Sequence, residues 1–266
     1  VGRWKIKGEP TVVLVDFSSL IPRKDEILKK LWEAYHVDSI SGQWDYIEPV
    51  LFGYAAGAVI ASYVENFCTA TDKIAAHFHE WMTAAGGLYL RRHAPYVATL
   101  FTTHATVMGR CIAGNHLPLY TDLTKFNADE LARQFNVVAK HSIEKAAAAY
   151  HDAFVTVSDI TANECKFLLG REPDCITPNG FENDFVWTGE EYDAKRAEAR
   201  KTMISVAEAC LGEKFAEEPL IVGTSGRYEF RNKGIDVFIE SLKKLAASPR
   251  LKRQVLAYIT VPAANR

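Results

Sequence analysis

Several absences narrow the field. The five cysteines, Cys68, Cys111, Cys165, Cys175 and Cys210, are widely and irregularly spaced, with no CxxC pair. An odd count with that spacing argues against a disulfide framework and for a reducing, cytoplasmic setting. No apolar run approaches ~18 residues, so no transmembrane helix is expected. The first residues carry no secretory signal. Neither sign of charge dominates, since 31 Lys and Arg stand against 33 Asp and Glu for a net charge of −2. That balance predicts no attraction of the whole surface to nucleic acid or to an anionic membrane. Any anion site has to be local. The two glycine patterns that cradle phosphates, GxxxxGK[ST] and GxGxxG, are also missing. So is an initiator methionine, and "VGRWKIKGEP" reads as a short strand and turn from the middle of something, an excised segment or a processed terminus.

What is present is an ordinary globular composition, 48% hydrophobic and 24% charged over 266 residues. That length allows one large domain or two smaller ones with a sizeable core. Short β-rich runs alternate with helical ones. "TVVLVDF" reads as a buried strand and "RKDEILKKLWEAY" as a helix with a 3.6-residue apolar period. "PVLFGYAAGAVIASYVENF" reads as a long, largely buried helix. "KIAAHFH" and "YVATLFTTH" read as strands, with the helix "EWMTAAGGLYLRR" between them weakened by Gly86-Gly87.

Further on, "KFNADELARQFNVVAKHSIEKAAAAYHDA" is expected to be helical, with Asn127 and Glu130 at capping-box spacing. "FVTVS" and "PDCITPNG" are strands. "DITANECKFLLG" is a helix with Thr161 and Glu164 at capping-box spacing and Gly170 as its stop. The charged helix "EEYDAKRAEARKTMISVAEACLG" precedes a strand, "PLIVGTS", a helix, "GIDVFIESLKKLAAS", and a last strand, "QVLAYITVPA". This alternation predicts an α/β fold with parallel sheets and crossover helices. In such sheets ligands sit at the carboxyl ends of the strands.

Four polar stretches lie at those ends. In "AHFHEW", His77 and His79 share one face of a strand. With His104 they offer a three-histidine zinc site, or else a hydrogen-bonded, metal-free pair. In "FTTHATVMGR", His104 can hydrogen-bond a sugar hydroxyl and Arg110 is a permanent cation suited to phosphate. In "TPNG", Asn179-Gly180 is a turn or a hinge. In "GRYEFRNKGIDVF", Arg227 and Lys233 flank a loop bent by glycines. The helix starting near Gly234 is expected to aim free N–H groups at that loop, which suits a diphosphate.

Taken in order, "AHFHEW", "FTTHATVMGR", "HSIEKAAAAYHDAFVTVSDITANE", "PDCITPNG" and "GRYEFRNKGIDVFIESLKKL" resemble the fungal and animal type of glycogen (starch) synthase, a retaining glycosyltransferase of family 3. The resemblance runs over nearly the whole chain and is loosest in the first fifty residues and Glu190–Glu218. It implies the GT-B fold, with two Rossmann-like domains facing across a cleft, and glucose transfer from UDP-glucose to the non-reducing end of an α-1,4-glucan. It implies no metal and no cofactor beyond the sugar-nucleotide substrate. Carried over, Arg110, Arg227 and Lys233 match the cations on the donor diphosphate and His104 the histidine at the donor sugar. Of these, His104, Arg110 and Lys233 are the catalytic candidates. His79, Glu80 and Trp81 match the cleft floor, with Asn179 beside them.

On this reading residues 1–218 form an N-terminal Rossmann-like domain, incomplete at its start, with 185–218 as a helical border segment. Residues 219–266 open a truncated C-terminal nucleotide-sugar-binding domain. The family's glycine-rich donor loop, paired glutamates and regulatory arginine helix are not in the sequence, so this chain is expected to be inactive alone. A homo-oligomer of the full-length protein is compatible with the resemblance. The competing readings are a sucrose- or trehalose-type sugar-nucleotide transferase, a glucan-binding or partner-binding module, and a zinc-dependent hydrolase built on His77, His79 and His104.

Overall fold

The computed structural model describes residues 1–263, so the last three residues of "VLAYITVPAANR" lie outside it. The chain divides into two units, Val1–Asn179 and Gly180–Arg266. The segment 185–218, read from sequence as the border of the first domain, therefore falls in the second unit.

The first unit opens with a two-stranded antiparallel ladder, β1 (Gly2–Arg3) and β2 (Thr11–Val12). Here the expected buried strand "TVVLVDF" is corrected. Only its first two residues pair, and Leu14 is 88% exposed. An apolar run becomes a strand only where a neighbour pairs with it; here Val15 is half-buried and Phe17 packs on the core without any pairing beyond Val12 among the described residues.

Two helices follow, α1 (Lys24–Tyr35) and α2 (Trp44–Phe67). α1 buries Ile27 and Leu31 on its apolar stripe and ends at His36, which takes the left-handed conformation with φ 56°. α2 meets α3 (Glu80–His93) through glycines. A Cβ on Gly57 would lie 2.5 Å from the Gly86 carbonyl oxygen, and one on Gly87 would lie 1.8 Å from Nε2 of His151. Gly86-Gly87 is thus a packing notch. Its low helix propensity is offset by a backbone approach that no larger residue permits. α2 bears on the expectation of no transmembrane helix. By length and composition alone it is apolar enough to cross a bilayer, and a third of its apolar window is buried in the fold. Alanines interspersed among Val, Leu, Ile and Phe raise its hydropathy without an unbroken apolar run.

The main sheet is parallel throughout, in the order β3 (Ala75–His79), β4 (Ala98–Thr103), β5 (Ala153–Thr156) and β6 (Cys175–Ile176). Helix α3 carries the chain from β3 to β4. From β4 to β5 run α4 (Val107–Gly114), α5 (Ala128–Gln134) and α6 (Val138–Tyr150). From β5 to β6 runs α7 (Asp159–Glu164), which continues into a π-helical turn, Cys165–Leu169, and stops at Gly170 with φ 76°. The single helix expected from "KFNADELARQFNVVAKHSIEK" is therefore two. Asn136 breaks it with φ 55°, while Asn127 caps α5 by accepting from the Glu130 N–H. The cap of α7 is Ser158, which accepts from the Thr161 N–H. Thr161 and Glu164 lie inside the helix and are buried, so they do not form the expected capping box.

The core surrounds this sheet. Phe78, Phe101, Phe154, Leu88, Leu90 and Ile143 are all buried in one cluster, and the rings of Phe101 and Phe154 stack 5.8 Å apart. Each such side chain contributes about 1.5–3 kcal/mol on leaving water. A second cluster, around Met108, Ile112 and Leu168, lies under the loops after β4.

The second unit contains α8 (Gly189–Leu211), β7 (Leu220–Ser225), α9 (Ile235–Ala246) and β8 (Val255–Thr260). β7 and β8 pair in parallel from Leu220↔Val255 to Ser225↔Thr260. The expected strand–helix–strand order holds here.

Candidate functional site

The carboxyl ends of β3 and β4 lie side by side, with His79 opposite Thr102. Alternation along β3 places His77 and His79 on one face, their ring centroids 4.0 Å apart. Nε2 of His77 bonds the Thr102 hydroxyl at 2.7 Å. Nδ1 of His79 bonds Nε2 of His104 at 3.1 Å. Such a bond needs a lone pair on one ring, so at least one of the two is neutral. Burial, and then the neighbouring His104, lower the pKa of His79, which favours that state. Burial, and then His79 and His104, do the same at His77.

Glu80 turns the chain from β3 into α3 with φ 64°, a left-handed backbone that is strained for a residue with a side chain. Its Oε1 accepts from the His104 N–H at 3.0 Å. His79, Glu80 and His104 are thereby brought together. Trp81 faces elsewhere: its ring stacks on Tyr46 at 5.9 Å, with the Lys140 ammonium 5.5 Å from its centroid.

Arg110 stands in the first turn of α4, exposed, and among the described residues its side chain has no partner. The N-cap of α4 is Thr106, which accepts from the Gly109 N–H at 2.9 Å. Behind this turn lie two acids, Glu144, which the sequence pattern did not single out, and Glu164, which it placed only in a capping box. Glu144 of α6 accepts from the Val107 N–H and the Thr103 hydroxyl, both at 2.9 Å. It is fully buried, and burial pushes its pKa up to about 8 against the pull of those hydrogen bonds. Glu164 accepts from the hydroxyls of Thr106, at 2.7 Å, and Tyr120, at 3.2 Å. The one available signal was position: Glu144 adjoins Ile143 on a stripe that buries Ala146 and Ala147, and Glu164 lies four residues before buried Leu168.

Asn179 is the exposed last residue of the first unit. In the second unit, Arg227 and Lys233 follow β7 and are exposed. Arg227 pairs with Glu229 at 3.0 Å. The stem of Lys233 crosses Gly226, where an added Cβ would lie 3.5 Å from its Cγ. The expected free N–H groups at the start of α9 are corrected. The N–H groups of Ile235 and Asp236 both donate to the Phe230 carbonyl, because the turn through Gly234 (φ 65°) folds that carbonyl under the helix. Anion binding at this loop then rests on side chains.

The zinc arrangement is not favoured. Among the described residues no group of three or more His, Cys, Asp or Glu is placed to hold a metal ion. The ring nitrogens of His77, His79 and His104 that face one another already bond Thr102 or each other.

A parallel-sheet α/β protein with its polar cluster at the carboxyl edge of adjacent strands belongs to the class that holds ligands at that edge. Within that class, this chain belongs to the glycogen synthase family, whose family model matches residues 1–266. It is 33% identical to a glycogen [starch] synthase of Dictyostelium discoideum over 99% of the chain and 30% of that relative. It is 34% identical to one of Neurospora crassa over 98% of the chain and 38% of the relative. With glycogen [starch] synthase isoform 2 of Saccharomyces cerevisiae it shares 33% identity, over 99% of the chain and 38% of the relative. The chain thus spans between 30% and 38% of the length of these relatives.

Proposed function

We propose that the protein carrying this chain transfers glucose from UDP-glucose to the non-reducing end of an α-1,4-glucan, with retention, on a GT-B architecture to which both units contribute. The family match across residues 1–266 carries this reading. The local chemistry agrees with it. His104 spends Nε2 on His79, which leaves Nδ1 to meet a hydroxyl of the donor sugar. As the glycosidic bond breaks, negative charge grows on the departing UDP. Arg110, Arg227 and Lys233 supply fixed positive charge for that diphosphate, and charge that meets the leaving group as it forms lowers the barrier more than it stabilises the bound donor. His79 and Glu80 hold His104 in place. On this reading the reaction uses no cofactor and the protein works in the cytoplasm.

The test is transfer of labelled glucose onto glycogen by the whole protein, with UDP-glucose and ADP-glucose compared as donors. Transfer from UDP-glucose, with release of UDP, is expected. A protein that binds neither nucleotide and labels no glucan contradicts the proposal.

A further inference from the structure

The turn from His104 to Arg110 carries both first-unit residues assigned to the donor. Its backbone is held by acids from behind. The His104 N–H donates to Glu80, the Val107 N–H to Glu144, and the Gly109 N–H to Thr106, whose hydroxyl donates in turn to Glu164. Glu144 is completely buried and Glu164 nearly so. Neither forms an ion pair among the described residues. An acid without a counter-ion in a core is costly even when it accepts hydrogen bonds. The offset is geometric. Glu144 spans the first half of the turn, through the Thr103 hydroxyl before it and the Val107 N–H at its middle. Gly109 packs directly on that support, since a Cβ there would collide with the Glu164 carboxyl group and the Thr106 hydroxyl.

We propose that Glu144 is a positioning residue: it fixes the turn after β4 so that His104 and Arg110 are presented in one geometry, with Glu164 holding the second half through Thr106. The N-terminal turn of α4 is thus filled by an internal carboxyl group, and the donor's phosphates are left to side chains. The inference rests on the reading above, in which His104 and Arg110 meet the donor.

The experiment uses the whole protein and the variants Glu144→Ala, Glu144→Gln, Thr103→Val and Thr103→Ser. Each is measured for kcat, for KM with UDP-glucose, for melting temperature and for the imidazole NMR resonances of His104. Displacement of reacting groups by about 1 Å lowers rates on the order of 100-fold. A kcat loss of that order is expected for Glu144→Ala, with KM changing less, because the interaction lost is one of alignment. Glu144→Gln, which keeps the shape and an acceptor for the Val107 N–H, recovers most of it. The His104 resonances shift in the alanine variant and return in the glutamine variant. If Glu144→Ala does not fold, Thr103→Val against Thr103→Ser decides, with loss in the first and recovery in the second. Unmoved His104 resonances, or a kcat within about twofold of wild type in a folded Glu144→Ala, overturn the proposal. Wild-type protein that transfers no glucose defeats the functional reading instead, and the His104 resonances still decide the positioning claim.

Discussion

In the first unit, the turn after β4 is anchored to carboxyl groups beneath it, the half-buried Glu80 of α3 and the buried Glu144 of α6 and Glu164 of α7. In the second unit, the turn after β7 is anchored to itself: Arg227 pairs with Glu229, the Lys233 N–H donates to the Glu229 carbonyl, and the Phe230 carbonyl closes the start of α9. The strands beneath differ in the same sense. Phe101, Phe154 and Thr156 in β4 and β5 are completely buried, whereas β7 and β8 have no buried residue. In the second unit's described residues, the buried side chains are Ala207, Pro219 and Ile235. A turn on a packed base has its conformation set before any ligand arrives. A turn tied only to its neighbours keeps freedom that a ligand has to remove.

Hydrogen exchange gives this contrast its largest expected effect. The amides of β4 and β5 are predicted to exchange at least ~1,000-fold more slowly than those of β7 and β8, since opening free energies follow burial and contact. Equal protection in the two sheets would break the comparison.

Glycine substitutions probe the same contrast by packing. Gly57→Ala drives a methyl group to 2.5 Å from the Gly86 carbonyl oxygen, and a shift of the α2–α3 pair is expected to cost about 1–3 kcal/mol. Gly223→Ala in β7 meets nothing closer than 3.5 Å, and its cost is expected to stay within about 0.5 kcal/mol. Chemical denaturation of the two variants measures both. Comparable losses would show the second unit to be as tightly packed as the first.

The smallest effect is one of pH. Glu144 titrates near 8 in the folded protein and at its ordinary carboxylate value, 4.5, in the unfolded chain. Between those values the folded state binds the extra proton, so stability falls as pH rises, by at most about 1.4 kcal/mol per pH unit. His151 acts in the opposite direction. Burial lowers its pKa to about 4, so stability is lost as pH falls from 6.5 towards 4. Burial lowers His77, His79, His93 and His141 in the same sense as His151, so the wild-type slope is a sum and the comparison with Glu144→Gln isolates Glu144. Between pH 6.5 and 8 the wild-type slope is predicted to be more negative than that of Glu144→Gln, by up to about 1.4 kcal/mol per pH unit. Identical slopes would remove Glu144 as the source.

Much of this was readable in the residues. Parallel strands, crossover helices and the meeting of His79 with His104 follow from periodicity and from strand ends. Three features escaped. "TVVLVDF" carries the β-branched apolar run of a buried strand, but pairing depends on a neighbour that local sequence does not name. Gly86-Gly87 lowers helix propensity, and only the approach of α2 to Gly86 and of His151 to Gly87 reveals its use. Glu144 looks like one more charged position on a helix, because its worth lies in Thr103 and Val107, some forty residues earlier. The cations Arg110, Arg227 and Lys233 were visible as residue types at strand ends, yet their shared role comes from the family resemblance and not from spacing.

The central claim is that these cations stabilise the departing UDP. Steady-state glucosyl transfer by the whole protein, with Arg227→Ala and Lys233→Ala measured separately against wild type, tests it most directly. Loss of one preorganised charge at a developing anion is expected to lower kcat by on the order of 100- to 1,000-fold in each variant, with the melting temperature little changed because both side chains are exposed. Near-normal turnover in both variants would contradict it.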